Sequence, residues 1–126
     1  MDSKSSRLSV EKFKPISYTK RMYQLDEADD EVFRQVPPLF NAMGDETRQQ
    51  IMWQLGHYHT LSVNELSERI YLSRPAVSHH LKVLREAGLV WEEKRGVRRY
   101  YHPTFKRYLE PMKRIIMMVE EKEGDA

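Results

Sequence analysis

Several side chains with strong hydrogen-bonding capacity cluster in the segment LSRPAVSHHLKVLREAGLV, residues 72–90. Arg74, Ser78, His79 and Lys82 bring together a guanidinium, a hydroxyl, an imidazole and an ammonium group. An arginine can bond a guanine edge with two N–H groups, serine and histidine can reach bases or phosphates, and lysine can neutralise a phosphate. The set is typical of a helix that reads the major groove of duplex DNA.

A helical period sorts residues 74–87 into two arcs. At about 100° per residue, one arc is mostly aliphatic and the other is polar. We therefore expect an amphipathic helix with one buried and one outward face. The predicted inward arc is Ala76, Val77, His80, Leu81, Val83, Leu84 and Ala87, and the predicted outward arc is Arg74, Pro75, Ser78, His79, Lys82, Arg85 and Glu86.

Capping signals predict a second helix immediately before this one. Ser62 and Glu65 have the spacing of a capping box, and Ser73 is suited to cap the segment that begins at Arg74. Pro75 is tolerated there because the first turn of a helix has no use for its missing N–H. The two segments, separated by the short connection 71–73, predict a helix-turn-helix.

Two further helices are expected upstream. The pattern becomes helical from Glu31, and Pro37 with Pro38 suits the first turn of a helix that Gly44 closes. Asp45 is then expected to cap a helix over residues 46–56 that Gly56 stops.

Downstream of Gly88 the residues become typical of strands. Those flanking EEKRG predict a hairpin with its tip at Arg95-Gly96, which would place Trp91 opposite Tyr100, Glu92 opposite Arg99 and Glu93 opposite Arg98. A bulged turn would shift this register by one residue.

The basic residues concentrate around the helix and the hairpin. Residues 69–99 include eight basic and three acidic residues, a local net charge of +5 in a chain whose net charge is +2. Cations of this kind supply much of the affinity for duplex DNA. We expect Lys94, Arg95 and Arg98 to contact the DNA backbone or minor groove. The fold class is therefore mainly α with a small β-hairpin, a winged helix-turn-helix.

The last predicted helix has an apolar seam. Its members alternate at spacings of four and three, which is a heptad-like pattern suited to pairing with another helix. They are Phe105, Leu109, Met112, Ile116 and Val119.

Length and composition indicate one domain with tails. We assign residues 1–30 to a basic and then acidic tail or arm and residues 31–122 to the DNA-binding and dimerisation domain. The chain has no cysteine, which excludes disulfides and thiolate ligands. It has no apolar run long enough for a membrane helix and no secretion signal, so a cytoplasmic protein without a membrane partner is expected.

Three strings resemble the bacterial arsenical-resistance repressor (ArsR-type) family of transcriptional regulators. They are LFNAMGDETRQQIMWQL, SVNELSERIYLSRPAVSHHLKVLREAGLV and EKRGVRRYYH, and the resemblance covers roughly residues 32–119. It implies a homodimer paired through the first and last helices, with Leu39 and Phe40 joining the final-helix residues Leu109, Met112, Ile116 and Val119. It also implies base-reading positions at Arg74, Pro75, Ser78 and His79, a phosphate contact at Lys82 and wing contacts at Arg95 and Arg98.

The sequence departs from the metal-sensing members of that family. Ser62-Val63-Asn64 stands where thiolate sensors have Cys-Val-Cys, and no histidine follows His102 to supply a final-helix zinc site. His57 and His59 could face one metal ion, although solvated loop residues are the favoured interpretation. We therefore expect no metal and no cofactor, and we leave open an unknown effector.

The combined prediction is a sequence-specific repressor acting as a homodimer on a pseudo-palindromic operator. A protein-docking winged helix without sequence-specific DNA binding is the alternative. An enzyme is disfavoured because Ser78 and His79 are adjacent on one helix and point apart.

Overall fold

The structure, a computed structural model, describes residues 27–124. The described residues fall into two compact units: residues 27–38 with 108–124, and residues 39–107. The helices are α1 (Glu27–Gln35), α2 (Pro37–Met43), α3 (Glu46–Tyr58), α4 (Val63–Ile70), α5 (Arg74–Glu86) and α6 (Leu109–Gly124). The strands are β1 (Leu61–Ser62), β2 (Val90–Arg95) and β3 (Arg98–Pro103), and Lys106–Tyr108 forms a short 3₁₀ turn.

The first unit contains α1 packed against α6. Arg114 Nε donates to the buried Asp29 Oδ1 at 2.9 Å and joins the two helices. The helical pattern starts at Glu27 rather than at Glu31, so the predicted boundary at residue 30 falls within α1. Acidic residues 27, 29 and 30 form the first turn of that helix, where the helix dipole favours negative charge. Most of the predicted tail, residues 1–26, lies outside the described residues.

The second unit surrounds α5 with α3, α4 and the sheet. Its least exposed side chains, at 0 or 1% relative exposure, are Ala42, Ile51, Leu55, Leu66, Val77, Leu81, Leu84 and Leu89. The packing of these aliphatic residues fixes which side of α5 faces outward, because the helix can bury only one apolar face at a time.

Most predicted helix boundaries in the second unit are confirmed. Asp45 Oδ1 accepts from Arg48 N at 3.0 Å as the N-cap of α3, and Ser62 and Glu65 form the reciprocal capping box of α4. The expected stop at Gly56 is wrong, because α3 continues to Tyr58 and ends at His59, whose φ is 69°. A glycine within a helix weakens it by about 1 kcal/mol but does not end it.

α5 ends in a Schellman motif. Gly88 has a φ of 80°, Leu89 N donates to Leu84 O at 2.9 Å and Gly88 N donates to Arg85 O at 3.0 Å. The predicted glycine stop after this helix is therefore confirmed.

The hairpin exists, but its predicted register is wrong by two residues. Trp91 lies opposite His102, Glu92 opposite Tyr101, Glu93 opposite Tyr100 and Arg95 opposite Arg98. The tip is Gly96-Val97, with Gly96 at a φ of 63° in the first position, as a type II′ turn requires. β1 pairs with β3 and completes a sheet of order β1-β3-β2.

Candidate nucleic-acid interface

The two predicted faces of α5 are confirmed. All seven residues of the outward arc are exposed, and each residue of the inward arc is buried or half-buried. The outward residues include Ser78, His79 and Lys82, so this face presents hydrogen-bonding and cationic groups without an aliphatic patch.

The start of α5 is fixed by two interactions. The Ser73 hydroxyl accepts from Ala76 N at 3.3 Å and caps the helix, with Pro75 in its first turn. The Arg74 guanidinium donates through Nη1 to Asn64 Oδ1 of α4 at 2.9 Å. Asn64 therefore orients Arg74 and links the two helices, a role for which its sequence position gives no signal.

A cleft of about 630 Å³ separates the start of α5 from the hairpin tip. It brings together four of the predicted DNA-contacting residues. These are Arg74, Pro75, Ser78 and Arg98. His79, Lys82, Lys94 and Arg95 do not line it, although all four are exposed.

Glu92 connects α5 to the hairpin. Its side chain, only 14% exposed, accepts from Arg85 Nη1 at 2.8 Å and lies 3.4 Å from Arg99 Nε. Tyr101 Oη donates to the same carboxylate at 3.3 Å, and burial, followed by the negative charge of Glu92, raises the pKa of Tyr101. Two of the basic residues in this region are thus engaged within the protein.

Glu93 organises the outer half of the hairpin. Arg95 donates to both of its carboxylate oxygens, at 3.0 and 3.1 Å, and His102 Nε2 lies 2.6 Å from Oε1. The hydrogen bonds from Arg95 first, and then that with His102, lower the pKa of Glu93 to about 2. The Arg95 guanidinium also lies over the Tyr100 ring, 4.5 Å from its centroid. Arg95 is therefore oriented by its own hairpin.

His102 is held from three sides. Its Nδ1 lies 2.8 Å from the Thr60 hydroxyl, its Nε2 contacts Glu93, and its ring stacks on Trp91 with centroids 4.0 Å apart. Glu93 and His102 are positioning residues that were not predicted. The contacts of His102 with Trp91 and Glu93 depend on the hairpin register, whereas the spacing of two between Glu93 and Arg95 on one strand was a signal present in the sequence.

Three predicted phosphate-contacting cations have no ion pair within residues 27–124. These are Lys82, Lys94 and Arg98, all exposed. None of the three is held in an ion pair with a carboxylate of that part of the chain, so they are well placed to attract an anionic ligand.

The remaining histidines have structural or exposed positions. His80 is half-buried, with Nδ1 3.3 Å from Arg48 Nη1 and 4.0 Å from Asp45 Oδ1, as expected for a hydrogen-bonded core histidine. The backbone N–H of Arg48 lowers the pKa of Asp45. His57 and His59 are exposed, and residues 27–124 contain no group of three or more potential ligands placed to hold a metal ion.

The predicted dimer residues differ in exposure. Leu39 is buried within the chain, whereas Phe40 is 56% exposed. On α6, Leu109, Ile116 and Val119 are exposed and Met112 is half-buried. None of the helices within residues 27–124 has the length and apolarity needed to cross a bilayer.

Comparisons with known proteins point to one family. The model of the family described as "Bacterial regulatory protein, arsR family" matches residues 45–91. An HTH-type transcriptional regulator of Mycobacterium tuberculosis is 44% identical over 69 residues, which are 55% of this chain and 64%, under two thirds, of that protein. The arsenical resistance operon repressor of Bacillus subtilis is 32% identical over 77 residues, covering 61% of this chain and 73% of that protein.

A solved structure agrees with these matches. The ArsR-like transcriptional regulator from Rhodococcus sp. RHA1 superposes with a TM-score of 0.66 at 26% identity, covering 75% of this chain and 89% of that one. The shared architecture is a mainly helical fold with a small antiparallel sheet.

Proposed function

Because the chain belongs to the ArsR family of bacterial regulatory proteins, which are DNA-binding transcriptional regulators and not enzymes, we propose that it is a repressor that binds an operator as a homodimer. The observation that carries the proposal is the outward face of α5, where Ser78, His79 and Lys82 are exposed beside Arg74. Base edges are read by Arg74, Pro75, Ser78 and His79, and phosphates are bound by Lys82, Lys94, Arg95 and Arg98.

The exposed seam of α6 supports the homodimer. Leu109 and Ile116 are about half exposed, and Val119 is 42% exposed. A contiguous apolar stripe of this kind marks an interaction surface on a soluble protein. Pairing through it, with the half-buried Met112 contributing, gives a twofold dimer whose half-sites on DNA are about 10 base pairs apart or a multiple of that. The exposed Phe40 of the second unit is proposed as a further dimer contact.

The dimer is tested by size-exclusion chromatography with light scattering at micromolar concentration. The unmodified protein elutes as a dimer, and Ile116→Glu gives monomers because a carboxylate cannot be buried unpaired in the apolar seam. Glu121→Lys, an exposed change on the opposite side of the same helix, leaves the dimer intact. A monomer for the unmodified protein contradicts the proposal.

Repression without a thiolate metal site is part of the proposal. At the position of the Cys-Val-Cys ligands, the Ser62 hydroxyl accepts from Glu65 N at 3.2 Å and Asn64 Oδ1 accepts from Arg74. Both oxygens already serve the helix-turn-helix. Operator binding is therefore expected to be unchanged by zinc or by a chelator, and any effector acts elsewhere.

A gel-shift assay with the DNA upstream of the protein's own gene tests the function. The proposal predicts a shift that a random duplex of equal length does not reproduce. Weak binding that is equal for both duplexes would favour a protein-docking module instead.

A further inference from the structure

Arg74 occupies a position that helix electrostatics disfavour. It is the first residue of α5, and the first turn of that helix contains no acidic residue. The N-terminal end of a helix carries a partial positive charge, which favours anions and repels a guanidinium. The helix itself therefore does not explain an arginine at this position, whereas a polyanion outside the chain does.

The group that holds the Arg74 guanidinium is neutral. Asn64 Oδ1 on α4 accepts from Arg74 Nη1 at 2.9 Å, and both residues are exposed. No carboxylate within residues 27–124 forms an ion pair with Arg74. An amide oxygen accepts a hydrogen bond without carrying a charge, so it orients the guanidinium and leaves the positive charge in place.

Two arginines of the hairpin are held by charged groups instead. Arg95 is paired with Glu93. Arg99 lies 3.4 Å from the carboxylate of Glu92. A carboxylate at this distance offsets much of the charge of the arginine as seen by a phosphate. The contact at the start of α5 differs because it gives the guanidinium a direction at no cost in charge.

Open space surrounds the pair formed by Asn64 and Arg74. Both residues line the cleft of about 630 Å³ beside the hairpin tip, and both line a smaller cleft of about 350 Å³ at the side of α4. An arginine side chain in open space has many rotamers, and restricting them costs conformational entropy. Glu68 also lines the smaller cleft and is a competing acceptor. The bond to Asn64 therefore selects one direction for the guanidinium before a ligand binds.

Local structure does not account for an asparagine at residue 64. It is the second residue of α4, where Ser62 already caps the helix and Glu65 completes the capping box. Asparagine is a weaker helix former than alanine inside a helix, and it is favoured at the cap itself. The side chain of Asn64 instead serves α5.

We propose that Asn64 is a specificity-determining residue, which positions Arg74 to donate two hydrogen bonds to a guanine edge in the major groove. The inference rests on the proposed function, since it assigns a role within the reading face of α5. One of the five N–H groups of Arg74 serves Asn64, which leaves a pair of donors for O6 and N7 of guanine. Orienting the guanidinium beforehand reduces the entropy that is lost on binding.

Two substitutions of Asn64 separate orientation from charge. Asn64→Ala removes the acceptor, whereas Asn64→Asp keeps an acceptor of the same shape and adds a negative charge. Asn64→Ala is expected to weaken operator binding roughly tenfold and to leave binding to a random duplex unchanged, because base reading is lost and charge is not. Asn64→Asp is expected to weaken binding to both duplexes, with the ratio of the two affinities within about twofold of the parent's, because only the charge is offset.

A double-mutant cycle connects the effect of Asn64 to Arg74. In the Arg74→Ala background, Asn64→Ala is expected to have no further effect on operator binding, because the side chain that it positions is absent. Asn41, the other asparagine of the chain, is exposed on α2 and provides the matched control. Asn41→Ala and Asn41→Asp are expected to leave binding to both duplexes unchanged.

Fluorescence anisotropy titrations give these affinities, and thermal unfolding of each variant reports on the fold. A purely structural role for Asn64 would lower the unfolding midpoint of Asn64→Ala and weaken its binding to both duplexes alike. That result, an unchanged operator affinity in Asn64→Ala, or additive effects of the two alanine substitutions overturns the proposal. A selective loss of operator binding in Asn64→Asp also overturns it. A parent protein that does not distinguish the operator from the random duplex overturns the proposed function as well.

Discussion

Replacing Arg98 by alanine should lower the salt dependence of DNA binding. Arg98 lies at the hairpin tip, lines the cleft beside the start of α5 and is exposed. It has no ion pair within residues 27–124, in contrast to Arg95 and Arg99, which are held by Glu93 and Glu92. Its charge is therefore fully available to displace a counterion from a phosphate.

The magnitude follows from the number of contacts. Each neutralised phosphate contributes about 0.9 to the slope of log K against log salt, so the two Arg98 side chains of the proposed dimer contribute about 1.8. A rise in salt from about 50 to about 200 mM should therefore weaken DNA binding by the unmodified protein roughly 12-fold more than DNA binding by the Arg98→Ala variant. Because phosphates carry no sequence information, operator and random duplex should lose the same slope.

Fluorescence anisotropy with a labelled duplex at four or more salt concentrations measures both slopes. Lys122→Ala removes an equal charge from α6, which is not assigned to the DNA-binding surface, and should leave the slope unchanged. An Arg98→Ala slope equal to that of the unmodified protein, or equal losses for both variants, would refute a phosphate contact at the hairpin tip.

Three further predictions concern α5 and the hairpin. Ser78→Ala and His79→Ala should each weaken operator binding by about 1–3 kcal/mol, roughly 5- to 150-fold, while binding to a random duplex changes little. Equal losses on both duplexes in anisotropy titrations would show that these two residues do not read bases. Glu92→Ala should lower the free energy of unfolding, measured by urea titration, by about 2 kcal/mol, because it leaves the Tyr101 hydroxyl and two arginines without their acceptor. In the same titration, Glu110→Ala, a change at an exposed residue, should lower it by less than about 0.5 kcal/mol. The folded-state pKa of Glu93 lies below its ordinary value of 4.5, at about 2, so its stabilising effect is complete above pH 4.5 and is lost as the pH falls towards 2. Glu93→Gln should therefore show a weaker dependence of the urea midpoint on pH in that window, and an identical dependence would contradict the ion pair.

The helix-turn-helix was predictable from sequence because its signals are local. The caps at Ser62 and Ser73 and the alternation of aliphatic and polar residues in α5 depend on neighbours within one or two turns. The structure reproduces both caps and both faces of α5.

The errors have more than one origin: the stop at Gly56 and the start of α1 were misjudged within single helices, and the others concern how strands and helices pair. The hairpin register depends on which two residues occupy the turn, and Gly96 takes the first turn position rather than the second. That shift of two residues retains the same face, so Glu92 still reaches Arg99, but along a diagonal. The two-residue strand β1 is too short to show any alternation, and Asn64 has no partner until α4 and α5 are packed together.

Selection of bound duplexes from a random DNA pool tests the central claim most directly. If the outward face of α5 reads bases in a twofold dimer, the selected sequences should contain two inverted half-sites whose centres are about 10 base pairs, or a multiple of that, apart. The Ser78→Ala variant should lose the preference at particular positions of each half-site. A pool that remains random after repeated rounds would contradict the claim.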